Sequence, residues 1–379
     1  MEEQTFNIAP YTDEEVPGIA AKLAESKAFR GMFTYLFPDM NDEAFREKMN
    51  SLETVRDWQY DVVYPAVEGI ASRSTLEITV NGFEHLEEGK AYLFISNHRD
   101  IVLDSAILNY QLARAGFDTT RIAIGSNLLM TPEITHLAKL NKSFIVRRDV
   151  APKEMYAYSK ELSEYIRHSI QQDHQSVWIA QREGRTKDGN DRTQQGLLKM
   201  FTISGGGDLI ENLSELNIVP VAISYEFDPC DMLKVHERWA KQADHNFQKK
   251  PQDDLKSMFT GINGMKGRVN LTVTPPLTDE LQHLSSTKVK NDQLALLAKM
   301  IDRRIHQHYH LWPVNYVAYD MLMNDNRFEG SHYSEDEDHS SRNYFHSKLE
   351  GMDHERAEME KWLLEMYANP VINHYNVST

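Results

Sequence analysis

The sequence predicts an α/β protein: a mixed, mostly parallel sheet flanked by helices, with helical additions at both ends of the chain. Three observations carry this reading. Short apolar runs rich in Val, Ile and Phe recur between residues 76 and 274. Segments with apolar residues at helical spacing separate them, and most of the runs end in a polar turn. Strands alternating with helices of this length build parallel or mixed sheets covered on both faces.

Residues 1–75 read as a helical region. Asp13-Glu14-Glu15 and Asp42-Glu43 each place acids in the first turn of a helix, the second leading toward Trp58 and Tyr60. Within 28–37, Phe29, Met32, Phe33, Leu36 and Phe37 share one helical face. Such a stripe packs on a core or, as its rival use, faces a membrane surface.

Residues 76–285 read as the α/β core, with strands expected at 76–80, 91–96, 120–125, 143–147, 176–181, 218–225 and 268–274. Helical patterns fall near 101–115, 133–140, 152–172, 194–202 and 206–214. Pro220 stands near the start of the most apolar strand, where a missing N–H is tolerated. Residues 286–379 return to helices: one over 288–311, ended or turned by Trp312-Pro313, and a last one over 354–366 carrying Trp362, Leu363, Leu364 and Met366. Between them, 324–355 is rich in His, Asp, Glu and Ser and reads as an exposed or partly disordered loop.

A net charge of −16 argues against nucleic acid and against simple electrostatic adhesion to an anionic membrane. The single cysteine, Cys230, excludes an internal disulfide and fits a reducing compartment. No signal peptide is expected, because Met1-Glu2-Glu3 opens acidic and no apolar segment follows. No apolar run is long enough to span a bilayer. The expectation is a soluble or peripheral protein, with Lys249, Lys250, Lys256, Lys266 and Arg268 read as a solvated basic face or a local membrane contact.

Three segments hold the candidate chemistry. The first, 97–104, reads Asn-His-Arg-Asp-Ile-Val-Leu-Asp and follows an apolar strand. A histidine presented at a strand's carboxyl end, with an acid to orient its ring, suits general-base work on a hydroxyl. Asp104 can reach back to His98 from the first turns of the next helix; Asp100 is the rival, although it also suits the helix cap. The second segment ends in Arg147-Arg148, whose side chains leave the strand on opposite faces, so that one can line a site. The third, Glu183-Gly184-Arg185-Thr186-Lys187-Asp188-Gly189, offers cations, an acid and a close-approach glycine, a set that can clamp an anion.

Other patterns point to less. His306, His308 and His310 sit two apart, which on a helix does not bring them to one face, so no metal site is expected. Gly205-Gly206-Gly207 lacks the Lys-Ser/Thr of a nucleotide loop and reads as a flexible helix start. Cys230 reads as structural.

Taken in order, Asn97-His98 through Asp104, Phe144 through Arg148, Glu183-Gly184-Arg185-Thr186 and Val219-Pro220 resemble the four blocks of the glycerolipid acyltransferase superfamily. Those blocks are N-H-x-x-x-x-D, a block ending in arginine, E-G-x-R, and an apolar block centred on V-P; the resemblance covers about residues 90 to 230. Ile124-Gly125-Ser126-Asn127-Leu128, the paired Arg147-Arg148 and Arg185 through Gly189 are similar to the glycerol-3-phosphate branch rather than the lysophosphatidate branch. Two departures stand out. Five residues separate His98 from Asp104 where the family has four, leaving Asp104 and Asp100 both open as the acid. Arg185 follows its glycine directly, one place early.

The resemblance implies transfer of a fatty acyl group from acyl-CoA or acyl-carrier protein to glycerol 3-phosphate or a lysophospholipid, in phospholipid biosynthesis. It implies His98 as the general base, and Arg148 and Arg185, with Glu183, Gly184 and Arg147, around the acceptor's phosphate. No metal, redox cofactor or covalent acyl-enzyme is implied. A cytoplasmic protein, peripheral on the inner face of the cytoplasmic membrane, is the expected setting. The alternatives are an acyl-thioester hydrolase and a catalytically silent lipid-binding protein.

Overall fold

A computed structural model of the chain describes residues 6–287, 289–352 and 355–378. The Met1-Glu2-Glu3 opening and the expected helix start at His354 lie outside the described residues.

Five helices come first: α1 Val16–Glu25, α2 Lys27–Leu36, α3 Asp42–Asn50, α4 Val55–Trp58 and α5 Tyr64–Ser74, with a π-helical turn, Gln59–Val63, joining the last two. Side-chain caps start three of them: Ser26 accepts from the Phe29 N–H, Asn41 from Ala44, and Thr54 from Asp57. The apolar face of α2 turns inward, with Phe29 and Phe33 buried against Phe45, Met49 and Trp58. Each such ring contributes about 1.5–3 kcal/mol of burial. The stripe read from the sequence therefore serves this core.

The sheet follows: β1 Glu77–Asn81, β2 Leu93–Ser96, β3 Arg121–Gly125, β4 Ser143–Val146, β5 Val177–Ala180, β6 Ile218–Tyr225 and β7 Arg268–Val273. Its spatial order is β1-β7-β6-β2-β5-β3-β4. Neighbours run parallel except β6 and β7, which pair antiparallel from Val221↔Val273 to Tyr225↔Val269. Between the strands lie α6 Leu103–Arg114, α7 Pro132–Leu140, α8 Met155–Gln171, α9 Gln195–Phe201 and α10 Leu209–Ser214. Both faces are covered. Leu93 and Ile95 of β2 enter a core with α8, α9 and α14 (Lys290–His308), while Tyr92 and Phe94 enter the opposite core against α6. Period-2 alternation with apolar residues on both sides is what a buried central strand requires.

Beyond β6 the chain forms α11 Asp231–Ala243 and α12 Pro251–Asn263, then α13 Thr278–Leu284 after β7. The basic group expected in this region is dispersed. Lys266 is buried and donates to Ser74 Oγ at 2.9 Å, Arg268 pairs with Glu226 at 2.6 Å, and Lys249 pairs with Asp254.

After α14 come α15 Pro313–Met323, α16 Glu335–Lys348 and α17 Arg356–Ser378. The polar stretch 324–355 is thus not an exposed loop: α16 occupies its middle, opened by a Ser334–Glu337 capping box and anchored by the buried side chains of Phe345 and, just past its end, Leu349. Tyr333 and Phe328 before it are buried too, beside Val317 and Val371. Composition hid the helix, because only a few apolar residues tie it down. Among the described residues no helix is long and apolar enough to cross a membrane.

Candidate active site

Strand β2 lies at the centre of the sheet between β5 and β6, so its carboxyl end opens at the crevice where α/β sheets place ligands. The Asn97 side chain continues the β2–β6 ladder past the strand. Its Nδ2 donates to the Ile223 carbonyl and its Oδ1 accepts from the Ile223 N–H, each at 2.8 Å. Ser96 is fully buried, and its hydroxyl donates to the Asn97 carbonyl at 2.8 Å and accepts from Trp178 Nε1 at 3.0 Å. A serine committed in this way is no nucleophile. These bonds fix the turn that presents His98.

His98 Nδ1 lies 2.7 Å from Asp104 Oδ2, and its ring meets Trp178 edge-on at 5.8 Å. Asp104, in the first turn of α6, is fully buried. Its Oδ2 also accepts from the backbone N–H groups of Arg99 at 2.7 Å and Asp100 at 3.0 Å, and its Oδ1 accepts from the Tyr225 hydroxyl at 2.9 Å. A carboxylate oxygen facing Nδ1 at this distance favours the tautomer with its proton on Nδ1, which leaves the Nε2 lone pair as an acceptor. The extra residue in the spacing is absorbed by the turn before α6. Asp100 does something else: its Oδ1 accepts from Val102 N–H at 2.9 Å and Leu103 N–H at 2.8 Å, capping that turn. Burial, then the nearby Asp104 charge, push the Asp100 carboxyl up.

The arginines do not form one clamp. Arg148 leaves the end of β4, passes Gly125, where a Cβ would stand 3.0 Å from its Nε, and pairs through Nη1 with Glu183 Oε1 at 2.9 Å. Gly184 beside it takes a left-handed φ of +68°, which lets the loop turn back sharply. Arg147 goes to the other side of its strand and lies over the Tyr158 ring at 5.4 Å. Arg185 turns inward and is buried, with its Nη1 unpartnered, where its charge acts on Asp100 and Asp228.

Sequence reading missed Tyr225, Asp191, Asp228 and Lys234. Asp191 pairs with Arg99, and the buried Lys234 pairs with Asp228 and donates to the Arg99 carbonyl at 2.8 Å. Tyr225 had a signal: a tyrosine closing an apolar central strand needs a partner for its hydroxyl. The others depend on tertiary contacts.

The lesser patterns separate. His306 bonds the Asp191 carbonyl at 2.8 Å, His308 the Arg304 carbonyl at 2.9 Å, and the His310 ring lies tilted against Trp312. Among the described residues no three His, Cys, Asp or Glu side chains could hold a metal ion. Gly207 N–H bonds Asn212 Oδ1 at 3.2 Å as part of the start of α10. Cys230 is buried with its thiol pushed up to about 11, mainly by burial. A cavity of about 820 Å³ lies between α15, α16 and α17, lined in part by Asp320, Asn324 and Arg342, and shares no residue with the His98 site.

Residues 77–224, from the start of β1 almost to the end of β6, match the Acyltransferase family model. No curated protein sequence matches significantly. Among solved structures, the chain is similar to a 1-acyl-sn-glycerophosphate (LPA) acyltransferase, PlsC, from Thermotoga maritima, at 12% identity and a TM-score of 0.36, covering 75% of this chain and 92% of that one. So loose a likeness carries no argument about chemistry.

Proposed function

We propose that this chain, whose residues 77–224 form an acyltransferase domain of the glycerolipid acyltransferase superfamily, moves a fatty acyl group from an acyl thioester to a hydroxyl of glycerol 3-phosphate or a lysophospholipid. The observation that carries the reading is the His98–Asp104 bond at the carboxyl end of β2. His98 Nε2 removes the proton as the hydroxyl oxygen attacks the thioester carbonyl. The tetrahedral intermediate then expels sulfur, and the imidazolium returns the proton to the leaving thiolate. Asp104 holds the ring and stabilises the imidazolium. One C–O bond forms and one C–S bond breaks, so neither a metal nor a redox cofactor enters the scheme.

Arg148 faces the acceptor's phosphate, with Glu183 restraining its guanidinium. Arg185 adds positive potential from beneath the loop. Placement of this kind can offset on the order of 7–11 kcal/mol of barrier in favourable cases. Glycerol 3-phosphate is the favoured acceptor, on the Ile124–Leu128 stretch, the paired arginines and the segment from Arg185 to Gly189. The donor is acyl-CoA or an acyl-carrier protein, and a chain of net charge −16 favours the less bulky polyanion. The setting proposed is cytoplasmic, with peripheral contact at the inner membrane face.

The test is thiol release from a long-chain acyl-CoA by the purified protein with glycerol 3-phosphate, with lysophosphatidate, or with no acceptor. Release that requires one acceptor and is lost in His98→Ala supports the reading. Release without acceptor replaces it with a thioester hydrolase.

A further inference from the structure

Asp191 lies in the loop between β5 and α9, far in sequence from His98, yet its bonds converge on the residues beside it. Its carboxylate takes the Arg99 guanidinium with both oxygens, Nη1 to Oδ1 at 3.2 Å and Nη2 to Oδ2 at 2.6 Å. Oδ1 also accepts the Thr186 hydroxyl at 2.8 Å. The Thr186 N–H in turn donates to the His98 carbonyl at 3.2 Å. Arg99 is the pivot. Its N–H donates to Asp104 Oδ2 at 2.7 Å, and its carbonyl accepts from Lys234 at 2.8 Å.

The same loop is held from behind by helices outside the matched domain. The Asp191 carbonyl accepts from His306 of α14, and the Thr193 N–H and hydroxyl both donate to Asp302 of that helix, at 2.7 and 2.6 Å. Asn369 of α17 donates to the Asp188 carbonyl at 2.6 Å. Gly189, at a φ of +72°, lies so close to α17 that a Cβ would stand 2.1 Å from the Met366 carbonyl oxygen.

We propose that Asp191 is a positioning residue for His98: by gripping Arg99 it fixes the backbone whose N–H groups hold Asp104 against the imidazole, and it ties that backbone to α14 and α17. A stability role alone accounts poorly for the pair. The Arg99 and Asp191 side chains are 6% and 2% exposed, and ion pairs buried so deeply are commonly matched or bettered by apolar residues of similar volume. What an apolar pair cannot supply is the directional hold on Arg99 and Thr186.

The activity readout rests on the acyl-transfer reading, so the test carries a second readout that does not. Arg99→Met/Asp191→Leu removes the pair without stranding a charge. The expected result is a thermal midpoint close to the parent's and a kcat lowered about 10- to 100-fold with KM for both substrates within about twofold. The low-field proton NMR signal of the His98 Nδ1–H, held by Asp104 in the parent, should broaden or disappear as Asp104 loosens. Thr186→Val, which keeps volume and deletes one hydroxyl bond, should give the same signs at a few-fold in kcat, and it decides the matter if the pair variant does not fold. Parent-like kcat and a parent-like His98 Nδ1–H signal in a folded variant overturn the proposal. If the parent itself turns over no acceptor, the acyl-transfer reading falls, and the His98 Nδ1–H signal alone judges Asp191.

Discussion

Tyr225 donates its hydroxyl to Asp104 Oδ1 across 2.9 Å, on the oxygen opposite the one that faces His98. Burial, then the neighbouring carboxylates, hold the phenol well above its usual pKa, so it remains a donor. Tyr225→Phe leaves a buried carboxylate oxygen unpaired, at a cost of about 1–3 kcal/mol in stability. With Asp104 freer to rotate, kcat should fall about tenfold while acceptor KM holds. Denaturant midpoints and steady-state kinetics check both numbers. An unchanged kcat would mean that the Arg99 and Asp100 N–H groups are sufficient.

The two aspartates near His98 separate by role, and their variants should separate by phenotype. Asp104→Asn offers Nδ1 the wrong partner and favours the unproductive tautomer, so kcat should drop on the order of 10³- to 10⁴-fold in a folded protein. Asp100→Ala loses two bonds to the backbone N–H groups of Val102 and Leu103, and should cost about 0.5–2 kcal/mol with a modest effect on kcat. Equal kinetic losses in both would return Asp100 to the role of orienting acid.

Arg148 meets Glu183 at the open side of the loop and is 30% exposed, so the hold on the acceptor's phosphate proposed for it is moderated by solvent. Arg148→Ala should raise acceptor KM about 10- to 100-fold with little change in kcat, and Arg148→Lys should recover only part of it, since a point charge does not reproduce the fork. Arg147→Ala should leave KM near the parent value, because that side chain lies over Tyr158. Titrating glycerol 3-phosphate and lysophosphatidate against each variant tests the assignment.

The strands were legible because burial on both faces of β2, β5 and β6 writes near-continuous apolar runs, and the chain after β2 carries its histidine in the open. Strand order was not. The antiparallel pairing of β6 with β7 depends on where α11 and α12 carry the chain, and those helices are rich in Lys, Asp and Gln, with few buried side chains. Helix α16 had a readable sign in Ser334-x-x-Glu337, masked by a composition that suits a loop. At the site, His98, Asp104 and Arg148 stand at strand ends or helix starts, where spacing is informative. Asp191 and Lys234 act on Arg99 across 92 and 135 residues, a distance no local pattern encodes.

Lys187 predicts how stability should follow pH. It donates to the Arg185 carbonyl at 3.1 Å, lies 3.6 Å from Glu237 Oε2, and is pushed down to about 7, chiefly by burial with Glu237 opposing. The unfolded chain restores its ordinary value of 10.5. Between those two values the unfolded state holds a proton that the native state lacks, so stability rises with pH. Lys142 and Lys266, each pushed down to about 8 by burial, add the same sign. Urea midpoints should therefore climb from about pH 7 to about pH 9.5, and Lys187→Met should flatten the slope. Glu237 keeps Lys241 and Lys249 as partners when Lys187 is neutral. A parent midpoint that falls across this window would contradict the burial argument.

Gly261 gives the sharpest packing test. Gly261 lies in the last turn of α12, and at a helical position Gly→Ala ordinarily stabilises by about 0.5–1 kcal/mol through chain entropy. Here a Cβ would stand 2.0 Å from Asp100 Oδ2, and that carboxylate cannot swing away freely because its other oxygen is held by the Val102 and Leu103 N–H groups. The sign should reverse, with Gly261→Ala destabilising by about 1–3 kcal/mol. Removing the obstacle should restore the ordinary sign: in an Asp100→Ala background the same substitution becomes neutral or stabilising. The resulting double-mutant cycle reads the contact directly. Because the Asp100 N–H also holds Asp104, kcat should fall in Gly261→Ala and partly recover in the double variant. Additive stabilities across the cycle would show that α12 does not press on the turn behind His98.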